Sequence, residues 1–282
     1  MLWKPQDYLP RFGQRTKQFR EINSVQTDEA DANQVVNAVE NGQDQNLVSK
    51  EIAEAISRLW LDSGIKQCYA KAKDLTIPSS AEYFLNNVDR ICSYEYVPTQ
   101  QDILYTRLST VGVAEINFLL KGIKFIVIDV GGQRTERKKW IHHFEHVNSV
   151  LFTVALSEYD LNMAEDNKTN RIMDALQLFE SITESRWFQK TSIILFLNKT
   201  DIFRQKIRLI PITIAFPDYT GSSNYEETSG YIQKEFSRRY RQKGAQLYCH
   251  FTCATDTDQI KFVLNATMDI IIMQNMKSSG VV

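Results

Sequence analysis

Apolar residues recur every three or four positions from about Asp28 to Ile91. The stretches "ANQVVNAVE", "SKEIAEAISRLW", "GIKQCYAKAKD" and "SSAEYFLNNVDRI" share this spacing, which gathers apolar side chains on one face of a helix. Ser49 and Ser79 stand where helix N-caps belong, and Gly64 stands where two helices would part. No strand pattern interrupts this half, so the spacing predicts a small all-helical unit. After Pro98 the texture changes. "AEINFLLKGIKFIVIDV" holds two strand-like runs joined at Lys121-Gly122, which predicts a hairpin. Further on, "SVLFTVAL" (149–156), "TSIILFLN" (191–198) and "QLYCHFT" (246–252) are short runs rich in β-branched and aromatic residues. Helical patterns at 165–184 and 225–242 separate them, and a last helix is predicted from about Asp258 to Met276. Near-continuous apolar strands alternating with helices predict an α/β fold, a mostly parallel sheet covered on both faces.

Composition narrows this picture only a little. The chain has 282 residues, 43% hydrophobic and 24% charged, as in ordinary globular proteins. Its net charge of -1 gives no bulk attraction for polyanions, which argues against nucleic acid as a partner. Cys68, Cys92, Cys249 and Cys253 form no CxxC pair, so free thiols in a reducing compartment are expected. No apolar run has the length of a membrane span, and "MLWKPQ" lacks the Met-Gly start of an N-myristoylation site. The expected location is the cytoplasm, or the periphery of a membrane. Residues 1–27 are left unassigned as a basic N-terminal arm, with Pro5 and Pro10 opposing an early helix.

In parallel sheets ligands sit at the carboxyl ends of strands, and here those ends are chemically distinctive. The first holds Asp129-Val130-Gly131-Gly132-Gln133. Its carboxylate suits magnesium, its glycines let backbone N–H groups approach a phosphate, and its glutamine suits the orienting of a water. The second holds Asn198-Lys199-Thr200-Asp201. A carboxylate there can accept hydrogen bonds from both N1–H and N2–H₂ of guanine, a pair that adenine lacks. The third holds Thr252-Cys253-Ala254-Thr255, where a backbone N–H can meet guanine O6. Each motif alone also fits a plain strand-end turn; their common order is what points to a guanine nucleotide. Upstream, Arg107 precedes Thr110 by three residues, an arginine to neutralise phosphoryl charge beside a hydroxyl to ligate magnesium.

The stretches "SRLWLDSGIKQCY", "YVPTQQDIL", "DVGGQRTERKKWIHHFE", "ALSEYDLNMAEDN", "ILFLNKTDIF" and "HFTCATDT" together resemble the heterotrimeric G-protein α subunits, closest to their inhibitory class. The resemblance runs from about residue 28 to the C-terminus. It implies a Ras-like GTPase core at 99–282, with switch I, switch II and a receptor-facing C-terminal helix, and part of an all-α helical domain at 28–98. It implies GTP and GDP as ligands, with Mg2+ held by Thr110 directly and by Asp129 through water. Arg107 and Gln133 would be catalytic, and Gly132 would sense the γ-phosphate. Ser80 would lie near the nucleotide, and Leu104, Tyr105, Thr106, Arg107, Leu108, Ser109 and Thr110 would line phosphates and ribose. Asp129, Val130, Gly131, Gly132 and Gln133 would surround the terminal phosphate, and Asn198, Lys199, Thr200, Asp201 and Ala254 the base. A G-protein-coupled receptor, a βγ dimer and effector enzymes would be the partners, with the helix carrying Arg134 to Trp140 as the reporting surface.

The chain departs from that family's pattern in places. The phosphate loop GxxxxGK[ST] has no counterpart, since no Gly-Lys dipeptide occurs. The expectation is therefore an N-terminally shortened chain without the first strand and without the helix that docks βγ. An interaction protein that no longer binds GTP stands as the alternative reading. Tyr105 replaces a usually basic residue, and Ser279 a cysteine, so pertussis-toxin ADP-ribosylation would fail. His142, His143 and His146 read as a partly exposed helix face, not a metal site. Asp160, Glu165 and Asp166 read as a charged loop before a helix. Trp187-Phe188 reads equally as an effector contact or a helix-end anchor.

Overall fold

The computed structural model describes residues 29–41, 48–71, 80–106, 110, 112–120, 122–145, 147–242 and 246–278. The chain forms two compact units, Met1–Leu108 and Ser109–Val282. Arg107, Leu108, Ser109, Ser79, His146 and Ser279 lie outside the described residues, as does the basic arm.

The first unit is helical: α1 (Glu29–Glu40), α2 (Lys50–Leu61), α3 (Ser63–Lys71), α4 (Ala81–Leu85), α5 (Val88–Ile91) and α6 (Gln100–Tyr105). Ser49 caps α2, its hydroxyl accepting the N–H of Ile52 at 3.4 Å. The face that α2 buries carries Ile52, Ala55, Ile56, Leu59 and Trp60 against Val35 and Ala38 of α1. A fork of two 2.7 Å hydrogen bonds joins Arg58 of α2 to Asp31 of α1. The break between α2 and α3 falls at Asp62 and not at Gly64, which lies inside α3. The Asp62 carboxylate accepts the N–H groups of Gly64 and Ile65 at 2.6 and 3.1 Å. An acidic cap ends one helix and begins the next, so no glycine is required.

The second unit begins with the expected hairpin. β1 (Val113–Leu120) and β2 (Ile123–Val130) pair antiparallel from Val113↔Val130 to Leu120↔Ile123. Gly122 takes φ +77° in the turn, a conformation that costs glycine little. β3 (Ser149–Ala155), β4 (Ser192–Asn198) and β5 (Leu247–Phe251) form a parallel sheet in the order β3-β4-β5. Every residue of β4 from Ser192 to Leu197 is buried, as expected of a central strand covered on both faces. On one face Ile193, Leu195 and Leu197 pack with α7 (Arg171–Glu184), α8 (Thr200–Lys206) and α9 (Tyr225–Arg239) through Leu176, Phe179, Phe203, Ile232 and Phe236. On the other, Ile194 and Phe196 meet Val263 of α10 (Thr257–Ser278). This is a three-layer α/β arrangement.

Two expectations need correction. The helix predicted over 165–184 starts only at Arg171, because Asn170 caps it by accepting the N–H groups of Ile172 and Met173. The charged segment after Gln133 is a 3-10 helix, Arg137–His143, not an α-helix beginning at Arg134. The parallel sheet is present as expected: among the described residues β3, β4 and β5 run parallel, with the hairpin as a separate antiparallel ladder. The paired ambiguity at Trp187-Phe188 resolves by residue: Phe188 is a buried anchor and Trp187 is exposed. No described helix is long and apolar enough to cross a membrane.

Candidate functional site

The base-reading segment is built where β4 meets α8. Lys199 adopts a left-handed backbone, φ +62°, which turns the chain sharply out of the strand. Thr252, just past β5, ties the neighbouring strand end to this turn. Its N–H donates to the Leu197 carbonyl at 2.9 Å, and its carbonyl accepts the Thr200 N–H at 3.2 Å. Its hydroxyl donates to Asn198 Oδ1 at 3.1 Å. The same Asn198 oxygen accepts the N–H of Ala254 at 3.0 Å. Asn198 is thus a brace between two strand ends. The Ala254 N–H expected to face a ligand oxygen is engaged within the protein, which corrects that expectation for this structure. Asp201 is exposed, while Thr200 is buried.

The second strand end brings Thr110, Asp129 and Gly131 together. The Thr110 hydroxyl donates to Asp129 Oδ2 at 3.3 Å. The Gly131 N–H donates to the Gly112 carbonyl at 3.2 Å, and the Gly112 N–H donates to Glu136 Oε2 at 2.8 Å. Gly132 and Gln133 are exposed just beyond. Trp140 donates its indole N–H to the Gly131 carbonyl at 2.9 Å, so an aromatic side chain reports directly on the glycine pair. Among the described residues no group of three His, Cys, Asp or Glu is placed to hold a metal ion. Magnesium does not need one: it is usually held by one or two protein oxygens with phosphates and water. The adjacent hydroxyl and carboxylate of Thr110 and Asp129 fit that pattern.

Sequence reading missed a set of ion pairs around this loop. Arg137 donates to the Gly132 carbonyl at 3.2 Å and to Asp174 of α7 at 2.5 Å. Arg134 also donates to Asp174, at 3.1 and 2.9 Å, and to Asp166 at 2.8 Å. Burial raises the Asp174 pKa, but its hydrogen bonds to Arg137 and Arg134 outweigh that and lower it. Glu158, at the end of β3, accepts from Lys199 at 2.6 Å and from Arg171 at 2.8 Å. Burial pushes its pKa up, but the charges of Lys199 and Arg171 win and hold it at about 2. Asp160 is not part of a solvated acidic loop: its side chain is fully buried and pairs with Lys206 at 2.5 Å. Asp166 does lie near the start of α7 and accepts the N–H groups of Lys168 and Thr169.

In the first unit, Ser80 is buried and its hydroxyl has no hydrogen-bond partner among the described residues. Tyr105 stacks flat on Tyr83, with centroids 4.1 Å apart and planes 5° from parallel. Leu104 is exposed and Thr106 half-buried, the Thr106 hydroxyl donating to the Asp102 carbonyl at 2.8 Å. Asp102 anchors this corner by accepting from Arg90 and Tyr83.

Comparison with known proteins adds a further finding. The family described as "G-protein alpha subunit" matches residues 7–271. Similar curated proteins include the guanine nucleotide-binding protein G(o) subunit alpha of Lymnaea stagnalis and that of Planorbella trivolvis. Each is 47% identical over 252 residues, which is 89% of this chain and 71% of the relative. The corresponding protein of Locusta migratoria is 46% identical over the same share.

Proposed function

The chain belongs to the G-protein alpha-subunit family and is a guanine nucleotide-binding alpha subunit; from that premise we propose that it is a GTP-hydrolysing switch worked by the residues described above. Asn198, Lys199 and Asp201 read guanine. Asp201 accepts from N1–H and N2–H₂, Lys199 lays its stem on the base, and Asn198 holds the two strand ends in register. Thr200 and Ala254 complete the rim.

Hydrolysis needs stabilisation of charge more than covalent chemistry. Gly132 meets the γ-phosphate through its backbone, and Gln133 orients the attacking water. Arg107 neutralises charge on the transferring phosphoryl group. Magnesium, when bound, neutralises charge shared by the β- and γ-phosphates. Thr110 would ligate it and Asp129 would hold one of its waters. Val130 and Gly131 bring the loop to the phosphate. Loss of the γ-phosphate frees the Gly132 carbonyl loop and the 3-10 helix behind it. That movement is the signal read by a βγ dimer and effector enzymes, while the C-terminal helix meets a G-protein-coupled receptor. Such partners place the chain in the cytoplasm, peripheral to the inner face of the plasma membrane.

The observation that carries this reading is the Asn198 brace, which joins the ends of β4 and β5 into one rim. Titration of the purified chain with fluorescent GTP, with and without magnesium, tests it. Saturable, magnesium-strengthened binding that ATP does not displace is expected. A second reading, an interaction protein that does not bind GTP, is favoured by the division of the strands into two ladders. Absence of saturable binding would select it.

A further inference from the structure

The two ends of the proposed nucleotide site are each tied by polar contacts to the first turn of α7, whose backbone joins the two sets. The first set starts at the Gly132 carbonyl, which accepts from Arg137 at 3.2 Å. Arg137 in turn holds Asp174 in the first turn of α7 at 2.5 Å. Arg171, the first residue of the same helix, donates to Glu158 at 2.8 Å and to the Asn162 carbonyl at 2.9 Å. The other oxygen of Glu158 accepts from the Lys199 ammonium at 2.6 Å.

The turn that carries Glu158 is itself pinned to the base-reading segment. Lys206, at the end of α8, donates to Asp160 at 2.5 Å and to the Ser157 carbonyl at 3.0 Å. Asn170, the cap of α7, donates to the Tyr159 carbonyl at 2.6 Å. Residues 157–160 are therefore clamped between α7 and α8, and Glu158 is where the clamp reaches the lysine. A lysine stem has many rotamers. Fixing its far end selects those in which the stem lies in one direction. The left-handed backbone of Lys199 supplies no such selection beyond the Cα.

We propose that Glu158 is a positioning residue for guanine recognition, holding Lys199 for stacking on the base and linking it through Arg171 and α7 to the Gly132 loop. The proposal rests on the reading of Lys199 as a base contact. Glu158 touches no nucleotide. It acts through the lysine, and so it affects every purine that the stem can cover, whereas Asp201 alone discriminates the 2-amino group.

Affinities of GDP and inosine diphosphate for the 282-residue chain, with magnesium, test this. Glu158→Gln keeps the shape and removes the charge. It is expected to weaken both ligands by roughly tenfold, the worth of one charge-assisted hydrogen bond, while their ratio stays unchanged. Glu158→Asp, which keeps the charge, is expected to recover part of the loss, and adding Glu158→Gln to Lys199→Met is expected to cost nothing more. Unchanged GDP affinity in Glu158→Gln overturns the proposal. A collapsed GDP-to-inosine-diphosphate ratio overturns it too, because loosening of the whole segment would disturb Asp201 as well. Amide hydrogen exchange of the ligand-free chain supplies an arm independent of binding. Glu158→Gln should speed exchange across residues 199–203 and leave β4 unchanged; equal exchange in both proteins overturns the clamp. If the native chain binds neither diphosphate, the guanine reading itself falls and the base-positioning role with it, while the exchange arm still decides whether Glu158 pins Lys199.

Discussion

Gly131 and Gly132 stand side by side yet would tolerate a methyl group unequally. A Cβ on Gly131 would lie 2.7 Å from the Thr110 carbonyl oxygen and 2.9 Å from Glu136 Cγ, whereas one on Gly132 would meet nothing within 4 Å. Gly131→Ala is therefore expected to destabilise the fold by about 1–3 kcal/mol, the cost of overpacking against backbone, seen as a lower urea midpoint. Gly132→Ala should leave that midpoint unchanged. It should weaken GTP binding more than GDP binding, because only the γ-phosphate needs the space. At the other strand end, Asp201→Asn replaces one acceptor by a donor. GTP affinity should fall and preference should move toward xanthosine triphosphate, whose C2 oxygen accepts; competition binding measures both. Unchanged preference would remove Asp201 from the base. The strand-end turns that carry the glycines and this aspartate were legible in sequence because turn geometry is local. Asp160 was not: its partner Lys206 is 46 residues away, and only the fold turns an apparent surface acid into a buried ion pair.

At the scale of elements, α6 is held by its first turn. Thr99 and Asp102 form a capping box, and Asp102, only 2% exposed, also accepts from Arg90 and Tyr83. Hydrogen bonds from Arg90 hold its pKa far below the model-peptide value of 3.8. The sign follows: a carboxylate depressed in the folded state contributes stability above its unfolded pKa and loses it as pH falls below that value. Asp102→Ala should cost about 1–2 kcal/mol at neutral pH, since it removes the side-chain cap of α6 and the acceptor of the Tyr83 phenol, while the exposed Arg90 side chain regains water. The deficit relative to the native chain should shrink below pH 4 in acid-dependent melts. Leu195→Ala in β4 should cost about 2–5 kcal/mol through its cavity, measured by the same melts. The strands were legible because period and β-branching coincide in them, and so was the Gly122 turn. Two helix boundaries were not. Asp62 and Asn170 end and begin helices with side-chain caps, and their effect depends on geometry that spacing alone does not carry. The Arg134, Arg137 and Asp174 cluster was hidden for a related reason, since its members lie 37 and 40 residues apart.

At the scale of the whole molecule, each unit has its own apolar core, one around Ile56 and Leu59 and one around Leu195 and Phe179. The second unit places both proposed ends of the nucleotide site at strand termini, and ion pairs through α7 connect them. Its hairpin exposes Ile116, Leu119, Ile126 and Ile128, apolar surface that a partner or further chain would cover. The account stands or falls on whether the glycine loop senses a terminal phosphate. Trp140 reads this directly, because its indole N–H is bonded to the Gly131 carbonyl. The decisive measurement is its emission during titration with a non-hydrolysable GTP analogue and magnesium, with GDP as reference and Trp140→Phe as the blank. A saturable change with the triphosphate, smaller with GDP and lost in Trp140→Phe, is predicted. Emission that stays flat to millimolar triphosphate would contradict the switch and leave an interaction protein.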